Sequence, residues 1–168
     1  MQGLKISSFN VYPYDLDVYV ALVDGSAEDD VIEKNVKALA DKFSVYAITK
    51  TDLLYRKETK DEALESLELG VRDCSGCTFS ITENEHNYKG ILLILNLRYG
   101  PDDEMIVHEC VHIIDYMYQR FGMKSENFGE GNENYAYQLG GMFKNVKQCV
   151  EELTTKDEDD DKKEEPAI

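Results

Sequence analysis

Apolar residues change their spacing several times along this chain, and each change marks an element. Asn10 to Val23 (NVYPYDLDVYVALV) is rich in valine and tyrosine and alternates in part, which predicts a strand or a hairpin. From Ser26 to Phe43, Val31, Val36, Leu39 and Phe43 recur at near-helical spacing behind a run of acids, which predicts a helix. Ser44 to Thr49 reads as a strand, and Thr59 to Leu69 as a short, weakly periodic helix. Thr78 to Thr82 and Lys89 to Leu97 read as two strands, and the polar link Glu83 to Asn87 joins them as a hairpin. Gly100-Pro101-Asp102-Asp103-Glu104 opens a helix, with proline and acids suited to its first turn. Met105, Ile106, Ile113, Ile114, Met117 and Phe121 supply its buried face, and Gly122 stops it. A loop with Gly129 and Gly131 leads to a last helix from about Asn132 to Leu153. Gly140 and Gly141 inside it each cost roughly 1 kcal/mol relative to alanine, which signals either a break or close approach of two helix backbones. Strands and helices in this order, with no internal repeat, predict an α+β fold.

A length of 168 residues with 42% hydrophobic content fits one domain around a single core, assigned to residues 1–153. Residues 154–168 form an acidic tail. Within it Lys156 to Glu165 has no apolar residue and so is expected to be disordered. The formal net charge of -16, from 34 acidic and 18 basic residues, argues against nucleic-acid binding and against adsorption to anionic membranes. It is compatible with a generic acidic surface, with mimicry of nucleic acid or with a preference for basic substrates. Met1 to Asn10 shows no secretory signal, and the longest apolar run, Gly90 to Leu97, is too short to span a bilayer. The four cysteines do not form a disulfide-scaffold pattern, so the chain is expected to be cytoplasmic with reduced thiols.

Against that background His108-Glu109-Cys110-Val111-His112 stands out. It is an instance of H-E-x-x-H in a chain with three histidines. Residues i and i+4 of a helix stack on one face, so both imidazoles can reach one ion, expected to be a single Zn2+. A catalytic zinc takes three protein ligands and keeps one position for water. The metzincin arrangement is excluded, because Tyr118 stands where its third histidine belongs and Asp115 where its glycine does. His86 lies in the hairpin turn and is a poor candidate. Glu133, in the first turn of the last helix, is the preferred third ligand, with Glu130 and Glu126 as fallbacks. Its competing role is a surface acid stabilised by the helix N-terminus. Glu109 is the expected general base. Tyr137, which shares a helix face with Glu133, is the first candidate to hold a developing oxyanion, and Tyr135 the second, although a helical tyrosine is commonly a core residue. Asp115 either orients a ligand imidazole or is a solvated acid. Strand Ile91 to Leu97 either pairs with an extended peptide at a sheet edge or is buried on all sides. Cys74-Ser75-Gly76-Cys77 is a lone C-x-x-C, with unpaired loop thiols weighed against a structural metal or a redox pair. Cys110 is expected to point into the core.

HECVHIIDYMYQRFGM followed by NENYAYQLGGMF resembles the small H-E-x-x-H zinc metallopeptidases encoded by bacteriophages and by prophage regions of gut bacteria. More broadly it is similar to the gluzincin pattern, in which a downstream E-x-x-A segment supplies the third ligand, here Glu133-Asn134-Tyr135-Ala136. The resemblance covers about residues 78–145. The first 77 residues carry no motif, and Tyr137 departs from the acid that many gluzincins place after the alanine. It implies a zincin-like fold: a small twisted sheet, the H-E-x-x-H helix and a following helix that brings the third ligand. It also implies a zinc-dependent peptidase acting on a peptide or protein. Two rival readings stay open. One is a non-enzymatic phage or prophage interaction protein that inhibits a host factor, and the other is a zincin-like fold that binds peptides without cutting them.

Overall fold

The computed structural model describes residues 3–48, 55–123 and 132–161. Among them a six-stranded sheet carries four helices, a mixed α and β architecture. The predicted hairpin near residue 10 is real but starts earlier. Strand β1 covers Lys5–Val11 and pairs antiparallel with β2, Leu16–Val23, through a turn containing Pro13 and Asp15 (φ 48°). Helix α1 spans Asp29–Lys42 and runs directly into β3, Phe43–Ile48. A short β4, Tyr55–Lys57, pairs with β3 and has no counterpart among the predicted strands. Three residues are too few for a periodic signal to emerge.

Helix α2, Lys60–Arg72, extends past the predicted segment. It has a start signal in Thr59, whose hydroxyl accepts from the Glu62 amide while the Glu62 carboxylate accepts from the Thr59 amide. Strands β5, Gly76–Glu83, and β6, Tyr88–Asn96, form the predicted hairpin, with Glu83 opposite Tyr88. After a single 3-10 turn at Leu97–Tyr99 comes α3, Asp103–Arg120, capped by the Asp102 carboxylate and followed by Gly122 at φ 63°. The last helix, α4, runs from Asn132 to Asp161. It passes the expected boundary at residue 153 without stopping, and residues 162–168 lie outside the described ones. It also passes Gly140 and Gly141 unbroken. Added Cβ atoms there would meet nothing within 4 Å, so neither a break nor a close helix approach accounts for them.

The strand order is β1-β2-β6-β5-β3-β4, with β2 and β6 parallel and all other pairs antiparallel. Alternate residues of β2 and β6 face opposite sides. Leu16, Val18, Val20, Leu22, Ile91, Leu93 and Leu95 pack under α3 and α4. Ala21, Val23, Leu92 and Ile94 pack with α1 and α2. This two-sided burial explains the unbroken apolar run of β6, since a strand covered on both faces has no solvent side to keep polar. Of the two readings of this strand it bears out the buried one: β6 is central, flanked by β2 and β5, and is not at an edge open to a peptide. No helix among the described residues is long and apolar enough to cross a membrane.

Candidate metal centre

Helix α3 lies across one sheet face. Ile106, Cys110, Ile113, Ile114 and Met117 turn into the core, and His108 and His112 turn to solvent. Cys110 is fully buried, as expected of the residue between them, and burial pushes its thiol up to about 12. The Nε2 atoms of His108 and His112 stand 3.2 Å apart, with ring planes at 78°. Two nitrogens bound tetrahedrally to one zinc at about 2.0–2.1 Å are separated by about 3.3–3.4 Å, so the pair stands at chelating distance. The same separation lets one neutral ring hydrogen-bond the other when no ion is present.

Glu109 reaches β5 and is 5% exposed. Its Oε2 accepts a hydrogen bond of 2.7 Å from the Thr78 hydroxyl. It rests against Gly76, where an added Cβ would stand 2.7 Å from the Glu109 Cγ. Even so, its carboxylate keeps within 4.8 Å of ligand nitrogens on both histidines. One oxygen is thus fixed by the sheet while the group stays beside the imidazole pair. A cleft of about 610 Å³ opens at this end of α3, lined by Cys74, Gly76, Tyr99, Asp102, His108 and Glu109 among others. Gly76 and Thr78 are the neighbours of Glu109 that sequence reading missed. The available signal was a glycine at the start of a strand, which marks close approach of another group.

The other predicted site residues sit apart from this cluster. Tyr135 faces α3: its hydroxyl donates to Asp115 Oδ1 at 3.0 Å and to the Val111 carbonyl at 3.4 Å, and its ring stacks on Tyr118. Burial and the Asp115 carboxylate raise its pKa. Asp115 is therefore engaged with Tyr135, and among the described hydrogen bonds none joins it to a histidine. Two residues along an α-helix is a rotation of about 200°. With Tyr135 turned to α3, Glu133 and Tyr137 are turned away. Glu133 is exposed and outside the His108, Glu109 and His112 cluster, and Tyr137 is 76% exposed. The fallback ligands Glu126 and Glu130 lie outside the described residues. His86 belongs to a separate group with Glu83 and Glu85 at the β5–β6 turn. There the Glu83 carboxylate is held below its usual range chiefly by the His86 amide, and Lys42 stands 3.9 Å away.

One asparagine fixes the loops around the cleft. Asn96, fully buried at the end of β6, accepts from the Gly25 and Arg98 amides at 3.0 Å each and donates to the Val71 carbonyl at 2.8 Å. Its own amide donates to the Ser75 carbonyl. The ends of β2, α2 and β6 are thereby tied to the strand that supports Glu109. Comparisons with protein-family models, with curated proteins and with solved structures find no match for the chain.

Proposed function

We propose that this protein is a zinc-dependent peptidase in which His108 and His112 hold the metal and Glu109 is the general base. The observation that carries this reading is the convergence of two exposed imidazoles, at chelating separation, on a nearly buried carboxylate at the mouth of a cleft. The two imidazole nitrogens fit zinc. When bound, zinc supplies a water whose pKa is lowered to about 7 and a Lewis acid for the scissile carbonyl. Glu109 would be the residue that accepts a proton from the attacking water and passes it to the leaving amine. Thr78 restricts the carboxylate to one orientation, and Gly76 leaves the space it needs.

A peptide substrate is favoured by the sheet beside the site. Residues 76–79 of β5 pair with β6 on one side, and β3 pairs with β5 only over Ser80 to Glu83. Among the described residues, the other edge of β5 next to Glu109 therefore has no strand partner, and an extended chain can hydrogen-bond to it. The acids Asp73, Asp102 and Glu104 line the cleft with no lysine or arginine, which favours substrates with basic side chains.

Metal analysis tests the centre. Purified wild type is expected to carry one zinc, and His108→Ala to lose it. Glu133→Ala is expected to keep it, because Glu133 lies outside the cluster. Zinc retained by His108→Ala would overturn the proposed centre. A second test addresses the carboxylate. In Gly76→Ala the new Cβ would stand 2.7 Å from the Glu109 Cγ, so the carboxylate must shift. Cleavage of a random peptide library, read by mass spectrometry, is expected to slow by about 10- to 100-fold with zinc content unchanged, the scale at which small misplacements act.

A further inference from the structure

We propose that Cys74, in the wall of the cleft beside Glu109, and Cys77, behind it, form a thiol–disulfide pair oxidised by hydroperoxides. The inference stands on the C-x-x-C itself and does not depend on peptide hydrolysis. Helix α2 ends at Arg72, and Asp73 caps it, so Cys74 and Ser75 form an irregular link into β5. Cys74 is thus free of helix and strand geometry and can turn toward Cys77, the second residue of β5. The Cys74 thiol is among the neighbours that act on the Cys77 thiol, and both residues are partly accessible. The other two cysteines, Cys110 and Cys149, are buried under α3 and α4 in the opposite core and serve as internal controls.

The two thiols are not equivalent. Cys77 faces α2, where an added Cβ on Gly70 would lie 3.5 Å from the Cys77 Cβ. Burial, with the neighbouring Cys74 and Glu109, pushes the Cys77 thiol up to about 12. Cys74 lines the open cleft and meets the oxidant first. Its thiolate sulfur attacks one peroxide oxygen and the O–O bond breaks. The departing oxygen leaves as water, or as an alcohol from an organic hydroperoxide, and Cys74 becomes a sulfenic acid. The Cys77 sulfur then attacks the Cys74 sulfur, the S–O bond breaks and hydroxide leaves, taking the Cys77 proton as a second water. Two thiols lose two electrons in total, and the peroxide gains them. The closed ring encloses Gly76, the residue against which Glu109 rests, so oxidation acts on the wall that positions the carboxylate.

The test uses the full chain, reduced and desalted, then treated with hydrogen peroxide, alkylated and digested for mass spectrometry. The expected product is a peptide with Cys74 and Cys77 unalkylated and lighter by two hydrogen atoms, restored by dithiothreitol. It should form at least about tenfold faster than oxidation of Cys110 or Cys149, because accessibility governs the rate. In Cys77→Ser the reaction should halt at a Cys74 sulfenic acid that dimedone traps. Alkylation of Cys74 and Cys77 as complete as that of Cys110 after peroxide would overturn the proposal. So would disulfides that join only separate chains. The wild-type measurement decides the matter even where the serine variant fails to fold.

Discussion

Glu109→Gln is expected to lower peptide cleavage by about 100- to 10,000-fold, the range supplied by a positioned general base, and to leave bound zinc unchanged. The substitution keeps side-chain shape. The amide oxygen of glutamine can still accept from the Thr78 hydroxyl, which is 2.7 Å from the carboxylate in the wild type. The tight contact with Gly76 is also kept, because no atom is added. The histidines are untouched and remain exposed on α3. What disappears is the basicity of a group within 4.8 Å of both imidazoles. The measurement is the cleavage rate of the peptide library beside zinc content, wild type against variant. Unchanged cleavage with zinc retained would remove Glu109 from the chemistry. A biological activity that survives Glu109→Gln in full would instead favour the interaction-protein reading, for which the net charge of -16 is the motivation.

The residues that can be read from sequence are those whose role is local. The i, i+4 spacing of His108 and His112 needs only a helix to become a pair on one face, and the acids and Pro101 ahead of it announce that helix. The β5–β6 hairpin is similarly local, because its polar turn separates two apolar runs. Pairings between distant segments carry no such mark. Nothing in Leu16–Val23 states that it lies parallel to β6, since both are apolar runs that any buried neighbour would satisfy. The phase of α4 relative to α3 is hidden for the same reason. Glu133 and Tyr135 are both plausible partners of α3 from spacing alone. The choice falls to Tyr135 because its ring stacks on Tyr118 and its hydroxyl reaches Asp115, which turns Glu133 to solvent. The support of Glu109 by Thr78 depends on the register of β5 beneath α3, a tertiary fact that no motif records.

Asn96→Ala is expected to destabilise the fold by about 3–7 kcal/mol, a large part of the 5–15 kcal/mol that typically separates folded from unfolded domains. The Asn96 side chain is fully buried, and its three hydrogen bonds all go to backbone groups. Alanine leaves the Gly25 amide and the Val71 carbonyl without partners at a buried site, at roughly 1–3 kcal/mol each, and removes the cap of the 3-10 turn at Arg98 for about 1 kcal/mol more. The surroundings are poorly placed to repair the loss. A Cβ added at Gly25 would stand 2.4 Å from the Asn96 Nδ2 and 2.5 Å from the Val71 carbonyl oxygen, so the packing around the asparagine is already tight. Asn96→Asp is expected to be destabilising as well. Its carboxylate can accept from both amides, but it sets a buried charge against the Val71 carbonyl, where the native amide donates. Urea unfolding midpoints, with equal slopes, measure the effect beside the exposed control Lys144→Ala. A loss below about 1 kcal/mol would mean that water enters and takes over the three bonds. The same loops carry Cys74, Ser75 and Gly76, so a loosened Asn96 also loosens the wall behind Glu109. Folded Asn96→Ala should therefore keep its zinc, which rests on α3 alone, while its cleavage rate falls.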